Sequence, residues 1–176
     1  MRDTIVKLGP IMQLAYVPRD MDTAIEFWTK TMGAGPFFSL PHIAYKAARY
    51  RGEPSNVDFS VLLGYWGDVQ IELIEQHDDS PSIYKSWLDA GREGLHHVCL
   101  VVDDIAHARA VCDQAGAKLE QEIFLEGGEA IYVDTGGGAG TMVEILEPMP
   151  GFMDLCGMMR DAAKGWDGTD PVRSLG

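Results

Sequence analysis

The chain has 176 residues, 46% of them hydrophobic and 23% charged, the balance of a soluble globular protein. Its formal net charge of −13 argues against nucleic acid and against an anionic membrane surface, both of which need clustered Lys and Arg. Three scattered cysteines (Cys99, Cys112, Cys156) read as reduced thiols, no apolar run approaches the ~20 residues that span a bilayer, and Met1-Arg2-Asp3-Thr4 lacks a secretory apolar stretch, so a cytoplasmic small-molecule protein is expected.

The first predicted element is a short apolar strand running from Met12 towards Asp20, whose carboxylate is placed to cap a helix. Met21, Ala24, Ile25, Trp28 and Met32 then recur at helical spacing, and Gly33 ends the run. Strands are expected over Phe37–Ala47, Val57–Gly64 and Val69–Glu75. A linker helix over residues 79–91 carries Ile83, Trp87 and Leu88, with His77-Asp78-Asp79 at its start as capping residues. The pattern then starts again. His97 follows Gln13 by 84 residues, and the second capping aspartate, Asp104, follows Asp20 by the same 84. Ile105, Ala108, Val111, Cys112 and Ala115 form the second helix and Gly116 stops it. Strands follow over Ala117–Glu122, Glu129–Asp134 and Thr141–Leu146. The closing strings Gln70-Ile71-Glu72-Leu73-Ile74-Glu75 and Met142-Val143-Glu144-Ile145-Leu146-Glu147 match one another. The reading is an α+β fold made of two paired βαβββ modules.

The repeat marks four polar residues at corresponding places, Gln13 with His97 and Glu72 with Glu144. All four lie within apolar strands, where an unpaired carboxylate or imidazole costs several kcal/mol. A divalent cation resolves that cost: two Glu oxygens, one Gln oxygen and one imidazole nitrogen make a neutral, oxygen-rich site suited to a six-coordinate ion with open positions. Read singly, each residue is more often a hydrogen-bonded or solvated strand position than a ligand. His96, by strand alternation, should face away from His97.

Other features read more simply. Gly136–Gly140 is a hairpin turn rather than a phosphate loop. Cys99 shares the face of His97 and is either a small core residue or part of a cavity wall. Phe37, Phe38, Tyr45, Tyr65, Trp66 and Tyr132 are core or an apolar substrate wall. Lys46, Arg49 and Arg51 form the one basic cluster that an anionic substrate could use, though a solvated edge explains them. The tail stripe Phe152, Leu155, Met158, Met159 and Ala162 either packs on its own domain, lids a cavity or meets a partner subunit.

The segments Gln13–Asp20, Val69–Glu75, Gly94–Asp104 and Gly140–Pro148 resemble the glyoxalase/bleomycin-resistance/dioxygenase group, the vicinal oxygen chelate superfamily. Gly94–Val98 and the spacer Glu75–Leu88 are most similar to its methylmalonyl-CoA epimerase and lactoylglutathione lyase members. The resemblance implies one domain over 9–148, with module one at 9–76, the linker helix at 79–91 and module two at 94–148, followed by a helical tail at 149–176. It implies a curved sheet around a metal cavity, with Gln13, Glu72, His97 and Glu144 as ligands of one divalent ion (Zn, Ni, Co or Mn). The implied chemistry is proton abstraction next to a carbonyl, with the metal stabilising an enediolate or enolate. Glu144 is the first choice as base and Glu72 the second. Gln13 departs from the His usual in epimerases. Two other readings stay open, an extradiol-type dioxygenase and a ligand-sequestering protein without chemistry. A small-molecule substrate with vicinal oxygens, a homodimer, and no nucleic-acid or membrane partner complete the expectation.

Overall fold

The computed structural model describes residues 4–175, so Met1–Asp3 of the N-terminal string lie outside it. After a short 3-10 turn come β1 (Gln13–Tyr16), α1 (Met21–Glu26, continued by a π-helical turn over Phe27–Thr31), β2 (Phe37–Leu40), β3 (Ala47–Tyr50), β4 (Glu53–Ser55), β5 (Phe59–Trp66) and β6 (Val69–Gln76). Then follow α2 (Ile83–Asp89), β7 (Leu95–Val101), α3 (Ile105–Ala115), β8 (Lys118–Leu125), β9 (Gly128–Asp134), β10 (Met142–Glu147), α4 (Phe152–Ala163) and β11 (Val172–Ser174).

Both capping aspartates behave alike. Asp20 accepts the Thr23 backbone N–H at 2.7 Å and Asp104 accepts that of His107 at 2.9 Å, so each satisfies an orphan donor of its helix's first turn. Gly116 ends α3 in the left-handed conformation, φ 78°, which glycine adopts without steric penalty. The linker helix starts later than its composition suggested. Ser82, not the aspartates, caps it by accepting from Lys85 N–H, because Pro81 interrupts the approach and Asp78 is engaged with the Asp58 N–H and Gln76.

All eleven strands form one curved, unclosed sheet in the order β11-β2-β5-β6-β1-β7-β10-β9-β8-β3-β4. At its centre β1 runs antiparallel to β7; outward of them β6 lies parallel to β1 and β10 parallel to β7. The halves β2-β5-β6-β1 and β7-β10-β9-β8 are therefore the two modules placed back to back. One expected strand is interrupted. Phe37–Ala47 breaks after Leu40, where Pro41 has no N–H to give and His42 takes a positive φ of 47°. The chain then crosses to the far edge, where β3 pairs with β8 in the other module.

Alternation along the strands sorts the core into layers. On the convex face Trp28 packs over Leu62, Ile71 and Leu73, and Ala108 and Cys112 of α3 pack over Leu100, Ile131 and Ile145. The concave face holds Ala15, Val17, Cys99 and Leu146 together with Tyr84 and Trp87 of α2 and Met159 of α4. The tail helix thus packs on its own chain, with Cys156 and Met159 buried. Among the described residues no helix is long and apolar enough to cross a membrane.

Candidate metal centre

Strand register brings the four marked residues together from distant parts of the chain. Ala15 on β1 lies opposite Glu72 on one side and His97 on the other. Cys99 on β7 lies opposite Gln13 on one side and Glu144 on the other. Ala15 and Cys99 are themselves 84 residues apart, the period of the repeat. Each is fully buried and small, so the four longer side chains converge above them.

His97 Nε2 lies 3.1 Å from Glu144 Oε2 and 3.6 Å from Glu72 Oε2, and one ligand atom from each of the three residues falls within 4.8 Å of the others. Burial opposes the imidazolium, but the two carboxylates outweigh it and lift His97 to about 9. Burial raises Glu72 above the usual carboxylate range, with the neighbouring Glu144 charge adding to the effect. Glu144 has both oxygens engaged, one by His97 and the other by the Tyr132 hydroxyl at 3.1 Å. Tyr132 in turn accepts from the Tyr84 hydroxyl at 3.3 Å.

Gln13 is held differently. Its Nε2 donates to Gln70 Oε1 at 2.8 Å, while Gln70 Nε2 donates to the Tyr65 hydroxyl at 3.1 Å and reaches Cys156 Sγ of α4 at 3.4 Å. Gln70's donors being so directed, the Gln13 amide nitrogen faces Gln70 and its oxygen is left over. Three buried side-chain polar atoms of the described residues lack a partner, and Gln13 Oε1 is the only acceptor among them. Leaving such an acceptor unpaired costs about 1–3 kcal/mol.

His96 overturns the expectation of alternation. The pairing of β1 with β7 skips it, Ala15 facing His97 and Tyr16 facing Leu95, so His96 is the extra residue of a bulge. A bulge turns two successive side chains to one side. His96 is 2% exposed, packs its ring on Trp87 and Tyr84, and sets Nδ1 2.8 Å from His97 Nδ1. Its Nε2 donates to the Ile83 carbonyl at 3.3 Å, and burial, with the His97 charge beside it, pushes it down to about 3. A neutral His96 with its proton on Nε2 accepts from His97 Nδ1–H, which turns His97 Nε2 towards the carboxylates.

The donor set fits a divalent cation. Two carboxylates exceed the single positive charge of a protonated His97, an amide oxygen stands unpaired, and the nitrogen and oxygen donors include no thiolate. Gln13, Glu72 and Glu144 line the floor of a cavity of about 340 Å³, together with Tyr132. Above that floor every lining residue is apolar or glycine, including Leu40, Ile43 and Phe59 on one side and Phe152 and Leu155 of α4 on another.

Of the aromatic residues proposed as a wall, Tyr132 lines the cavity; Phe37 and Phe38 are buried in the core, and Trp66 is 48% exposed on the outside. Cys99 is core. Gly136–Gly140 joins β9 to β10 as a turn, with Gly136, Gly138 and Gly140 all at positive φ. Three residues take supporting roles that the sequence reading did not assign them. Gln70 was findable, because it shares the Glu72 face of β6 at a two-residue spacing. Tyr132 lies opposite Glu144 across β9 and β10, a register visible only once the strands are paired. His96 gave no signal, since a bulge is not written in the local pattern.

Comparison with known proteins agrees with this fold. The family model described as the glyoxalase/bleomycin resistance protein/dioxygenase superfamily matches residues 12–135. No curated protein matches the chain at significant similarity. Similar solved structures include a hypothetical protein of Bacillus halodurans (TM-score 0.54, 13% identity, covering 79% of this chain and 94% of that one). Another is methylmalonyl-CoA epimerase from Mycobacterium tuberculosis (TM-score 0.53, 16% identity, 88% and 96%). The Streptomyces coelicolor methylmalonyl-CoA epimerase, in complex with 2-nitronate-propionyl-CoA, also aligns (TM-score 0.51, 17% identity, 81% and 96%). At such identities these structures share the fold. With two βαβββ modules back to back and the family model matched over most of its length, the chain belongs to the glyoxalase/bleomycin resistance protein/dioxygenase superfamily.

Proposed function

We propose that this protein is a metal-dependent lyase or isomerase that removes a proton from the carbon next to a substrate carbonyl. The observation that carries the reading is the convergence of Glu72, His97 and Glu144 within 4.8 Å at the floor of an apolar-walled cavity, beside the unpaired oxygen of Gln13. Those four residues would hold one divalent ion, of the Zn, Ni, Co or Mn kind. When bound, that ion supplies Lewis-acid stabilisation of negative charge developing on a substrate oxygen. One imidazole among three oxygen donors favours this chemistry over ring-cleaving oxygenation, which is built on a site with two His.

The protein's own groups then have separable tasks. Glu72 is proposed as the base, ahead of Glu144, which the sequence had ranked first. Burial raises the proton affinity of Glu72, which is paired with His97 at 3.6 Å, whereas Glu144 is anchored through both oxygens. Tyr132 holds Glu144 in place, and the apolar walls keep bulk water from the carbon acid.

The test is solvent exchange. Metal-loaded protein in D2O is incubated with α-hydroxyketones, the methylglyoxal-glutathione hemithioacetal and methylmalonyl-CoA, and deuterium at the acidic carbon is read by NMR. Exchange into at least one class, lost a hundredfold or more in Glu72→Gln with metal content retained, is the expected result. Metal-loaded protein that exchanges none of them contradicts the reading; exchange that survives Glu72→Gln but not Glu144→Gln returns the base to Glu144.

A further inference from the structure

We infer that the ligand of this cavity is an uncharged, largely hydrocarbon molecule carrying two adjacent oxygens at one end, rather than a nucleotide- or peptide-tethered thioester. The two-oxygen end rests on the proposed metal chemistry; the hydrocarbon body rests on the walls alone.

Polarity in the cavity is confined to its floor, at Gln13, Glu72, Tyr132 and Glu144. From there to the mouth the ligand meets side chains such as Ile43, Val61, Leu125 and Phe152, and no lysine, arginine or histidine lines the space among the described residues. A phosphate or carboxylate drawn into such walls would lose its hydration with nothing in exchange. None of the three members of the basic cluster that could have served an anionic tether lines the cavity. Ile123 and Leu125 of β8 face the cavity, so Phe124 between them faces the other side, and Arg49 lies over the Phe124 ring at 5.6 Å. Arg51 is paired with Glu120 at 2.7 Å and Lys46 with Glu126 at 2.9 Å. The net charge of −13 repels a polyanion further. Phe152 and Leu155 of α4 add further hydrocarbon to the lining. A cavity of about 340 Å³ is within the range of small-molecule sites.

The experiment uses two ligand series. Straight-chain hydroxamic acids, from acetyl to decanoyl, are titrated into metal-loaded protein by calorimetry, with coenzyme A and glutathione as competitors. Straight-chain alcohols displace the uncharged dye N-phenyl-1-naphthylamine from metal-free protein. Both affinities should climb about fourfold per methylene until the cavity is full, and neither coenzyme A nor glutathione at millimolar concentration should compete. Ile43→Asp, at the half-buried mouth, should weaken the longest members at least tenfold and leave acetohydroxamate unchanged. Affinities flat in chain length, a climb unaffected by Ile43→Asp, or displacement by coenzyme A would overturn the inference. Alcohols that climb while the hydroxamates gain nothing from metal would keep the apolar ligand and refute the metal-dependent reading instead.

Discussion

Gln13 and His97 occupy equivalent places in the two modules, yet they are held in quite different ways. Gln13 is oriented by an amide, Gln70, which leans on Tyr65 and on Cys156 of the tail helix. His97 is oriented by a bulged neighbour, His96, which leans on the Ile83 carbonyl of the linker helix. The duplicated sheet places both side chains, and the unduplicated parts, α2 and α4, set which atom each one presents. Position is a property of the repeat; orientation is a property of what was added to it.

The comparison is broken most severely by filling the space that both halves share. Cys99→Leu puts a branched side chain between Gln13 and Glu144, and Ala15→Leu does the same between Glu72 and His97. Each should lower divalent-metal affinity by at least a hundredfold in calorimetry, at a stability cost of about 1–3 kcal/mol from overpacking. Breaking one support at a time is milder. His96→Phe removes the acceptor for His97 Nδ1–H and should cost roughly tenfold to a hundredfold in metal affinity. Gln70→Leu frees the Gln13 amide to turn and should cost about tenfold, with no change in the nitrogen NMR shifts of His97. If His96→Phe left those shifts and the affinity unchanged, the two halves would not differ as described.

The two histidines also give the metal-free protein opposite pH dependences. His97 is held at about 9 against an ordinary 6.5, so its contribution is complete below pH 6.5 and is lost as the pH rises through about 9. Glu72, raised by burial, contributes fully only below the ordinary 4.5 and loses that contribution as the pH rises above it. His96 is held at about 3, so its contribution is complete above pH 6.5 and is lost as the pH falls towards 3. The melting midpoint of metal-free protein should therefore fall by several degrees on both sides, and metal should abolish the alkaline decline because binding replaces the His97 proton. Calorimetry at pH 7.5 in buffers of different ionisation enthalpy should show that proton released. The smallest effect is expected where the modules are alike. Asp20→Ala and Asp104→Ala should each cost about 1 kcal/mol in denaturant unfolding and leave metal affinity unchanged.

The duplication, the capping aspartates and the four polar strand positions were all legible in the sequence, because each depends on local spacing and the two copies reinforce one another. The path after Leu40 was not. Nothing in residues 37–47 records that β3 will find its partner in the other module, since that pairing is a tertiary choice. The His96 bulge was hidden for a related reason: it exists only as a mismatch in register between β1 and β7, and period-two reasoning on one strand points the ring the wrong way. The Gln13 oxygen could be named as a ligand, but that it is the unpaired atom follows from Tyr65 and Cys156, which lie 52 and 143 residues further on.

The central claim is that one divalent ion is held jointly by the two modules. Equilibrium dialysis against Ni, Co, Zn and Mn in turn, followed by elemental analysis, tests it directly with the wild-type protein, Glu72→Ala and Gln13→Leu. The account predicts one ion per chain for the wild type, a loss in Glu72→Ala, and a weaker but measurable loss in Gln13→Leu. No bound ion in the wild type, or an ion that both variants retain unchanged, would contradict it.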